Sequence, residues 1–180
     1  MSSRPAVFFD RDGTLMEEVG YCADPRQVRL YPGVPLALRE LKSAGFLTFI
    51  LTNQSGIGRG YFTEAQYQAV QSQLLAQIGP GLIDASYFCP DAPGPPSACR
   101  KPEPGMVFEA ARDFPIDLPR SYFIGDKSAD IECGRSAGTR TILVMTGYGP
   151  EQTCTPDWQA PDVTQAIRLV LKWSKPDAVD

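Results

Sequence analysis

The chain has 180 residues, 43% of them hydrophobic, and a formal net charge of −4; it is long enough for a substantial core, and a single domain over residues 1–180 is expected. The acidic balance argues against a broad nucleic-acid-binding surface, and no apolar run approaches the ~18 residues of a membrane span. There is no histidine, which excludes a phosphohistidine intermediate, a Ser-His-Asp triad and histidine-ligated zinc, and leaves acid–base work to carboxylates and lysine.

Met1-Ser2-Ser3-Arg4-Pro5 leads into the apolar run Ala6 to Phe9 rather than into a signal-peptide core, so a cytoplasmic protein is expected. Ala6 to Phe9 reads as a buried parallel strand. The turn Asp10-Arg11-Asp12-Gly13-Thr14 then sets two carboxylates beyond the strand's carboxyl end, where open α/β sheets bind ligands. Gly13 allows close backbone approach. Two acidic groups on one turn repel unless a cation lies between them, and Mg²⁺ prefers oxygen ligands. After the long loop Arg11 to Gly33 comes a helix over Val34 to Ala44, closed by Gly45, and a second strand over Phe46 to Leu51. Thr52 to Gly60 follows, offering hydroxyl, amide and glycine backbone donors that suit a phosphate.

Thr63 and Gln66 have capping-box spacing at the start of a helix over Glu64 to Gln77. A third strand over Ile83 to Phe88 opens the long loop Cys89 to Pro104, which ends near Arg100-Lys101 before a helix over Met106 to Asp113. Cations at a helix start oppose its dipole and make more sense facing an anion. The fourth strand, Tyr122 to Ile124, runs into Gly125-Asp126-Lys127-Ser128-Ala129-Asp130. Helix capping accounts for one of these two carboxylates but does not require both. A helix over Ala129 to Ala137, a strand over Thr141 to Met145 and a helix over Val163 to Trp173, with Asp162 and Gln165 spaced as a cap, complete the chain. The alternation predicts a Rossmann-like α/β fold, a doubly wound parallel sheet with helices on both faces, and loops too short for a separate cap domain. The five cysteines, Cys22, Cys89, Cys99, Cys133 and Cys154, are odd in number and scattered, which fits reduced thiols.

Asp-Arg-Asp-Gly-Thr, Thr-Asn-Gln-Ser-Gly, Arg-Lys-Pro and Gly-Asp-Lys-x-x-Asp, in this order from Asp10 to Asp130, resemble the haloacid dehalogenase superfamily of phosphotransferases. The likeness runs from Ala6 to about Gly147. Within the superfamily the chain looks most like the bacterial D-glycero-D-manno-heptose 1,7-bisphosphate 7-phosphatases. Histidinol-phosphate phosphatases share the first and third motifs but less often carry Ser-Gly-Ile-Gly-Arg-Gly-Tyr-Phe-Thr after Thr-Asn-Gln. The resemblance implies a Mg²⁺-dependent phosphatase acting through an aspartyl-phosphate. Asp10 would be the nucleophile, Asp12 the general acid and base, and Thr52 and Lys101 the groups that hold the phosphoryl oxygens. Asp10, the main-chain carbonyl of Asp12 and Asp126 would hold the metal. Glu18, Val19, Gly20, Tyr21, Asn53, Gln54, Ser55, Arg100 and Lys127 would bind the rest of a phosphorylated sugar, with Asp130 orienting Lys101 or Lys127. Arginine at position 100 suits a second phosphate, which its planar fork matches.

Many of these phosphatases hold a structural zinc through Cys-x-His and a later Cys-x-Cys. Here Cys89 and Cys99 remain while Asp91 and Ser97 stand at the other two positions, short of a closed four-ligand site. Zinc is therefore not expected, and Pro90, Pro93, Pro95 and Pro96 offer rigidity in its place. A DNA 3′-phosphatase of the same superfamily would carry a basic groove, and an acidic chain with no evident lysine or arginine cluster argues against that alternative. Non-catalytic relatives lose the nucleophile or a metal carboxylate, and this chain keeps both. A monomer with no nucleic-acid or membrane partner is expected.

Overall fold

The computed structural model describes residues 2–174. Six strands, β1 (Ala6–Phe9), β2 (Leu47–Asn53), β3 (Ala85–Cys89), β4 (Tyr122–Gly125), β5 (Arg140–Val144) and β6 (Trp158–Ala160), form one sheet in the order β3-β2-β1-β4-β5-β6. Every pairing is parallel. Parallel neighbours need crossovers, and these carry α1 (Val34–Ser43), α2 (Ser55–Gly58), α3 (Glu64–Ile78), α4 (Gly105–Asp113) and α5 (Ser128–Ser136), while α6 (Val163–Ser174) follows β6.

Side chains alternate across a strand, so β1 feeds two cores. Val7 and Phe9 pack with Leu38 and Leu41 of α1, Val70 and Leu74 of α3, and Ile167 and Val170 of α6. Ala6 and Phe8 pack on the other face with Met106, Val107 and Ala110 of α4 and Cys133 of α5. The expected double winding is therefore present. The chain builds outward from β1 to β2 and β3, then crosses back to lay β4 on the other side of β1. That reversal opens a crevice at the carboxyl ends of β1 and β4, the place where such sheets bind ligands.

Three local features differ from the sequence expectation. Trp158–Ala160 is a sixth strand, too short at the sheet edge to show a pattern. Ser55–Gly58 closes one helical turn in what reads as a glycine-rich loop. Cys89 and Cys99 form a disulfide with their Cα atoms 5.5 Å apart, which corrects the expectation of reduced thiols throughout. The end of β3 and the loop's return toward Arg100 bring the pair together, while Cys22, Cys133 and Cys154 remain free. Both expected caps form, the Thr63–Gln66 box at α3 and Asp162 accepting from the Gln165 amide at α6. Among the described residues, no helix is long and apolar enough to cross a membrane.

Candidate active site

Adjacent strand ends bring the acidic motifs together. Phe9 pairs with Ile124, and the Asp10 amide continues the ladder to the Ile124 carbonyl at 3.0 Å, so Asp10 emerges beside the Gly125-Asp126 turn. Donor oxygens of Asp10, Asp126 and Asp130 lie within 4.8 Å of one another, and all three residues are buried. Like charges at that spacing need a counter-charge. Lys101 supplies it, with Nζ 2.7 Å from Asp10 Oδ1 and 2.6 Å from Asp130 Oδ1. Its third proton goes to the Leu51 carbonyl at 2.7 Å. Although Lys101 lies in a loop, the Asn53 side chain grips its backbone twice, accepting from the amide and donating to the carbonyl, each at 3.0 Å.

Charge and burial act differently on each group. Burial alone would raise the Asp10 carboxyl, but Lys101 and then Lys127 outweigh it and hold Asp10 below its ordinary value. Burial would equally discourage charge on Lys101, and Asp10 and Asp130 reverse this, so the ammonium is stabilised. Among the described residues, no cation is bonded to Asp126. Burial, with Asp10 and Asp130 facing it, pushes its carboxyl up to about 8. Its Oδ2 accepts from the Tyr148 amide at 2.9 Å, while Oδ1 is buried with no partner among the described residues.

That unpaired oxygen and the crowding of carboxylates fit a hard divalent cation. The backbone is shaped to match: a Cβ at Gly13 or Gly147, both at positive φ (+84° and +52°), would overlap the Asp126 carboxylate. Asp10 and Asp126, with the Asp12 carbonyl, could hold Mg²⁺ here. A carboxyl raised by its surroundings costs the metal-free fold stability as pH rises from the unfolded value near 4 to about 8, and the full cost persists above it. Asp126→Asn is therefore expected to raise the metal-free melting temperature at pH 9 by roughly 2–8 °C, the effect of ~1–2 kcal/mol in a chain of this size. The variant should also lose the stabilisation that Mg²⁺ gives the parent. Calorimetric scans with Mg²⁺ or a chelator read both effects, and an unchanged Mg²⁺ response would remove Asp126 from the metal site.

Asp12 is aimed by groups behind it. Arg11, 0% exposed, donates to both of its oxygens, Nε to Oδ2 at 2.9 Å and Nη2 to Oδ1 at 3.1 Å. The guanidinium lies 5.3 Å over the Tyr67 ring of α3. Gln54 Nε2 donates to Asp12 Oδ2 at 3.1 Å and to Thr52 Oγ1 at 2.8 Å. Arg11 stands outside the sequence-derived set. Its only signal is a cation enclosed between two aspartates on one turn.

A small hollow at the base joins Asp10, Asp12, Thr52, Lys101 and Lys127. It opens beside a wider cleft whose wall includes Glu18, Gly20, Tyr21, Asn53, Gln54, Ser55 and Lys127. Val19 and Arg100 lie outside that wall: Val19 is 39% exposed, and Arg100 donates from Nη1 to the Asp91 carbonyl at 2.9 Å. Lys127 Nζ lies 3.3 Å from Glu18 Oε2 and 4.7 Å from the Tyr148 ring centroid. The turn after β5 also belongs to the site. Thr146 Oγ1 donates to the Gly13 carbonyl at 2.6 Å and Tyr148 donates to Asp126. Nothing in its sequence marks it except its position beyond the same sheet edge.

A family model described as HAD-hydrolase-like matches residues 98–166. The D-glycero-D-manno-heptose-1,7-bisphosphate 7-phosphatase of Thermosynechococcus vestitus is 38% identical over 93% of this chain and 95% of its own length. The D-glycero-beta-D-manno-heptose-1,7-bisphosphate 7-phosphatase of Yersinia pestis is 39% identical over 94% and 98%. Among solved structures, the D,D-heptose 1,7-bisphosphate phosphatase from B. bronchiseptica, complexed with magnesium and phosphate, superposes with a TM-score of 0.85 at 31% identity, covering 94% of this chain and 99% of that one.

Proposed function

The chain belongs to the D-glycero-D-manno-heptose-1,7-bisphosphate 7-phosphatases of the haloacid dehalogenase-like hydrolases, and from that premise we propose that it removes the 7-phosphate of this heptose bisphosphate with Asp10 as nucleophile. One observation carries the assignment of roles. Asp10 is buried, kept ionised by Lys101, and set beside an Asp126 oxygen that has no partner among the described residues.

Asp10 attacks phosphorus, the bond from phosphorus to the sugar oxygen breaks, and Asp12 passes its proton to that oxygen. Water then attacks the aspartyl-phosphate, giving up a proton to Asp12, and inorganic phosphate leaves. Lys101 and Thr52 hold the phosphoryl oxygens, while Arg11 and Gln54 fix the direction of Asp12. When bound between Asp10, the Asp12 carbonyl and Asp126, Mg²⁺ supplies the charge neutralisation that lets one anion approach another. Glu18, Gly20, Tyr21, Ser55 and Lys127 form the wall against which the sugar lies.

A substrate panel with Mg²⁺ tests this reading. The heptose 1,7-bisphosphate should be cleaved at the 7-position with kcat/KM well above that for histidinol phosphate or a 3′-phosphorylated oligonucleotide. Arg100→Ala should lower kcat/KM for the bisphosphate roughly 10- to 150-fold, the loss of one charge-assisted hydrogen bond of about 1.5–3 kcal/mol, and harm a monophosphate far less. If histidinol phosphate is the best substrate, the heptose assignment falls while the phosphatase chemistry stands.

The loop between β3 and α4 does not fit zinc. The donor atoms of Cys89, Asp91 and Cys99 lie close together, but the two sulfurs are bonded to each other and Ser97 Oγ occupies Asp91 Oδ2 at 2.6 Å. Elemental analysis of the purified protein is expected to find no stoichiometric zinc. About one zinc per chain, lost with thermal stability on chelation, would overturn that expectation.

A further inference from the structure

Arg59 has no place in the chemistry described above, yet the fold fixes it close to Arg100. Its amide donates to the Ser55 carbonyl at 3.0 Å, so it belongs to the turn of α2 whose first residues line the cleft. The preceding residue is pressed onto the loop from which Arg100 hangs. The Gly58 amide donates to the Pro90 carbonyl at 2.9 Å, and a Cβ at Gly58 would lie 2.7 Å from that oxygen and 2.8 Å from the Ala92 nitrogen. Arg100 reaches the same stretch of loop through its bond to the Asp91 carbonyl.

Both arginines are thereby anchored to the Pro90-Asp91 stretch of the loop, and after burial the charge of Arg59 is the main influence lowering the Arg100 pKa. Among the described residues, neither arginine forms an ion pair with a carboxylate. The charge of Asp91 acts on Arg100 in the opposite sense, but its carboxylate is engaged by Ser97. Adjacent like charges without a counter-ion are an unfavourable arrangement that a dianion between them reverses.

The flanking aromatic residues join this corner to the cleft. The Tyr61 amide donates to the Gly56 carbonyl at 2.8 Å, and its ring meets Tyr21 edge-on with centroids 4.7 Å apart. Tyr21 lines the cleft. Lys101 and Arg100 are consecutive, yet Lys101 turns inward to Asp10 while Arg100 turns to the Asp91 carbonyl, on the loop that Gly58 packs against. A ligand anionic at both ends meets one cationic group at each end of this arrangement.

Resting on the bisphosphatase reading, we propose that Arg59 pairs with Arg100 to bind the substrate's second phosphate, at the anomeric end, and that Tyr61 braces Tyr21 as the wall between the two phosphate positions. Arg59 is then a specificity-determining residue, distant from the reacting phosphorus.

The test compares Arg59→Ala with the parent enzyme on the heptose 1,7-bisphosphate and on the same heptose carrying only the 7-phosphate, with Mg²⁺ present. Arg59 is exposed, so the variant folds, and circular dichroism checks this. The ratio of kcat/KM for bisphosphate over monophosphate is expected to fall about tenfold, the weight of one charge-assisted hydrogen bond, with the change in KM. In the Arg59→Ala/Arg100→Ala double variant, the combined loss should differ from the product of the single losses, because both residues hold one group. An unchanged ratio in Arg59→Ala, with the parent enzyme still preferring the bisphosphate, overturns the subsite and leaves the function standing. A parent enzyme that treats the two substrates alike overturns the bisphosphatase reading itself.

Discussion

Asp10→Asn is expected to reduce turnover to background, by on the order of 10⁴-fold or more, as removal of a nucleophile does elsewhere, while the fold survives. The amide fills the same space but offers phosphorus no anionic oxygen. Lys101 is not stranded by the change. It keeps Asp130 at 2.6 Å and the Leu51 carbonyl at 2.7 Å, so the buried ammonium retains a counter-charge and stability changes little. Single-turnover assays and thermal scans on the same preparation read the two effects separately. Near-normal hydrolysis by the variant, with contaminating phosphatase excluded, would sink the assignment of the nucleophile.

Lys101→Met should fail in the opposite manner, losing stability and activity together. Removing one member of a buried pair leaves its partner's charge uncompensated, at a cost of about 3–5 kcal/mol. Here the methionine strands two carboxylates, Asp10 and Asp130, beside a third. Added Mg²⁺ should return much of the lost stability, because a cation is restored near the same carboxylates. It should not return the activity, since the proposed mechanism needs the Lys101 ammonium to hold a phosphoryl oxygen. Denaturant titrations with and without Mg²⁺ measure this, and a variant of parental stability without metal would show that Lys101 does not anchor the charge balance.

What could be read from the chain follows from how local each feature is. β1 and β4 are short strands buried on both faces, so Ala6–Phe9 and Tyr122–Gly125 appear as unbroken apolar runs ending in an aspartate. β6 is three residues at an edge, with one of them exposed, and neither its length nor its composition separates it from a loop. α2 is hidden because Ser-Gly-Ile-Gly has little helical propensity; its turn is set by contacts with the loop at Pro90.

The same division applies to the site. Asp10, Asp12 and Asp126 stand in compact motifs beyond strand ends and Lys101 in one at the end of the long loop before α4, and the fold brings these together at one crevice. The bonds that aim them are long-range and leave no mark in sequence. Asn53 and Gln54 are examples: their residue types suggest ligand contact, but Asn53 grips the Lys101 backbone and Gln54 spans Thr52 and Asp12. The cleft and the internal braces thus share residues.

Arg11 ties the aim of the Asp12 carboxylate to a helix that does not line the cleft. Its guanidinium is enclosed between the Asp12 carboxylate and the Tyr67 ring, and Tyr67 belongs to α3, seated on the sheet through Val70 and Leu74. Misplacing a reacting group by about 1 Å can cost 10²-fold in rate. On the proposed mechanism, selection on turnover would therefore reach into the hydrophobic interior, where a methylene lost or gained at Val70 or Leu74 would shift the helix, the ring, the guanidinium and finally the Asp12 carboxylate. Drift in that layer would register as altered catalysis before it registered as unfolding.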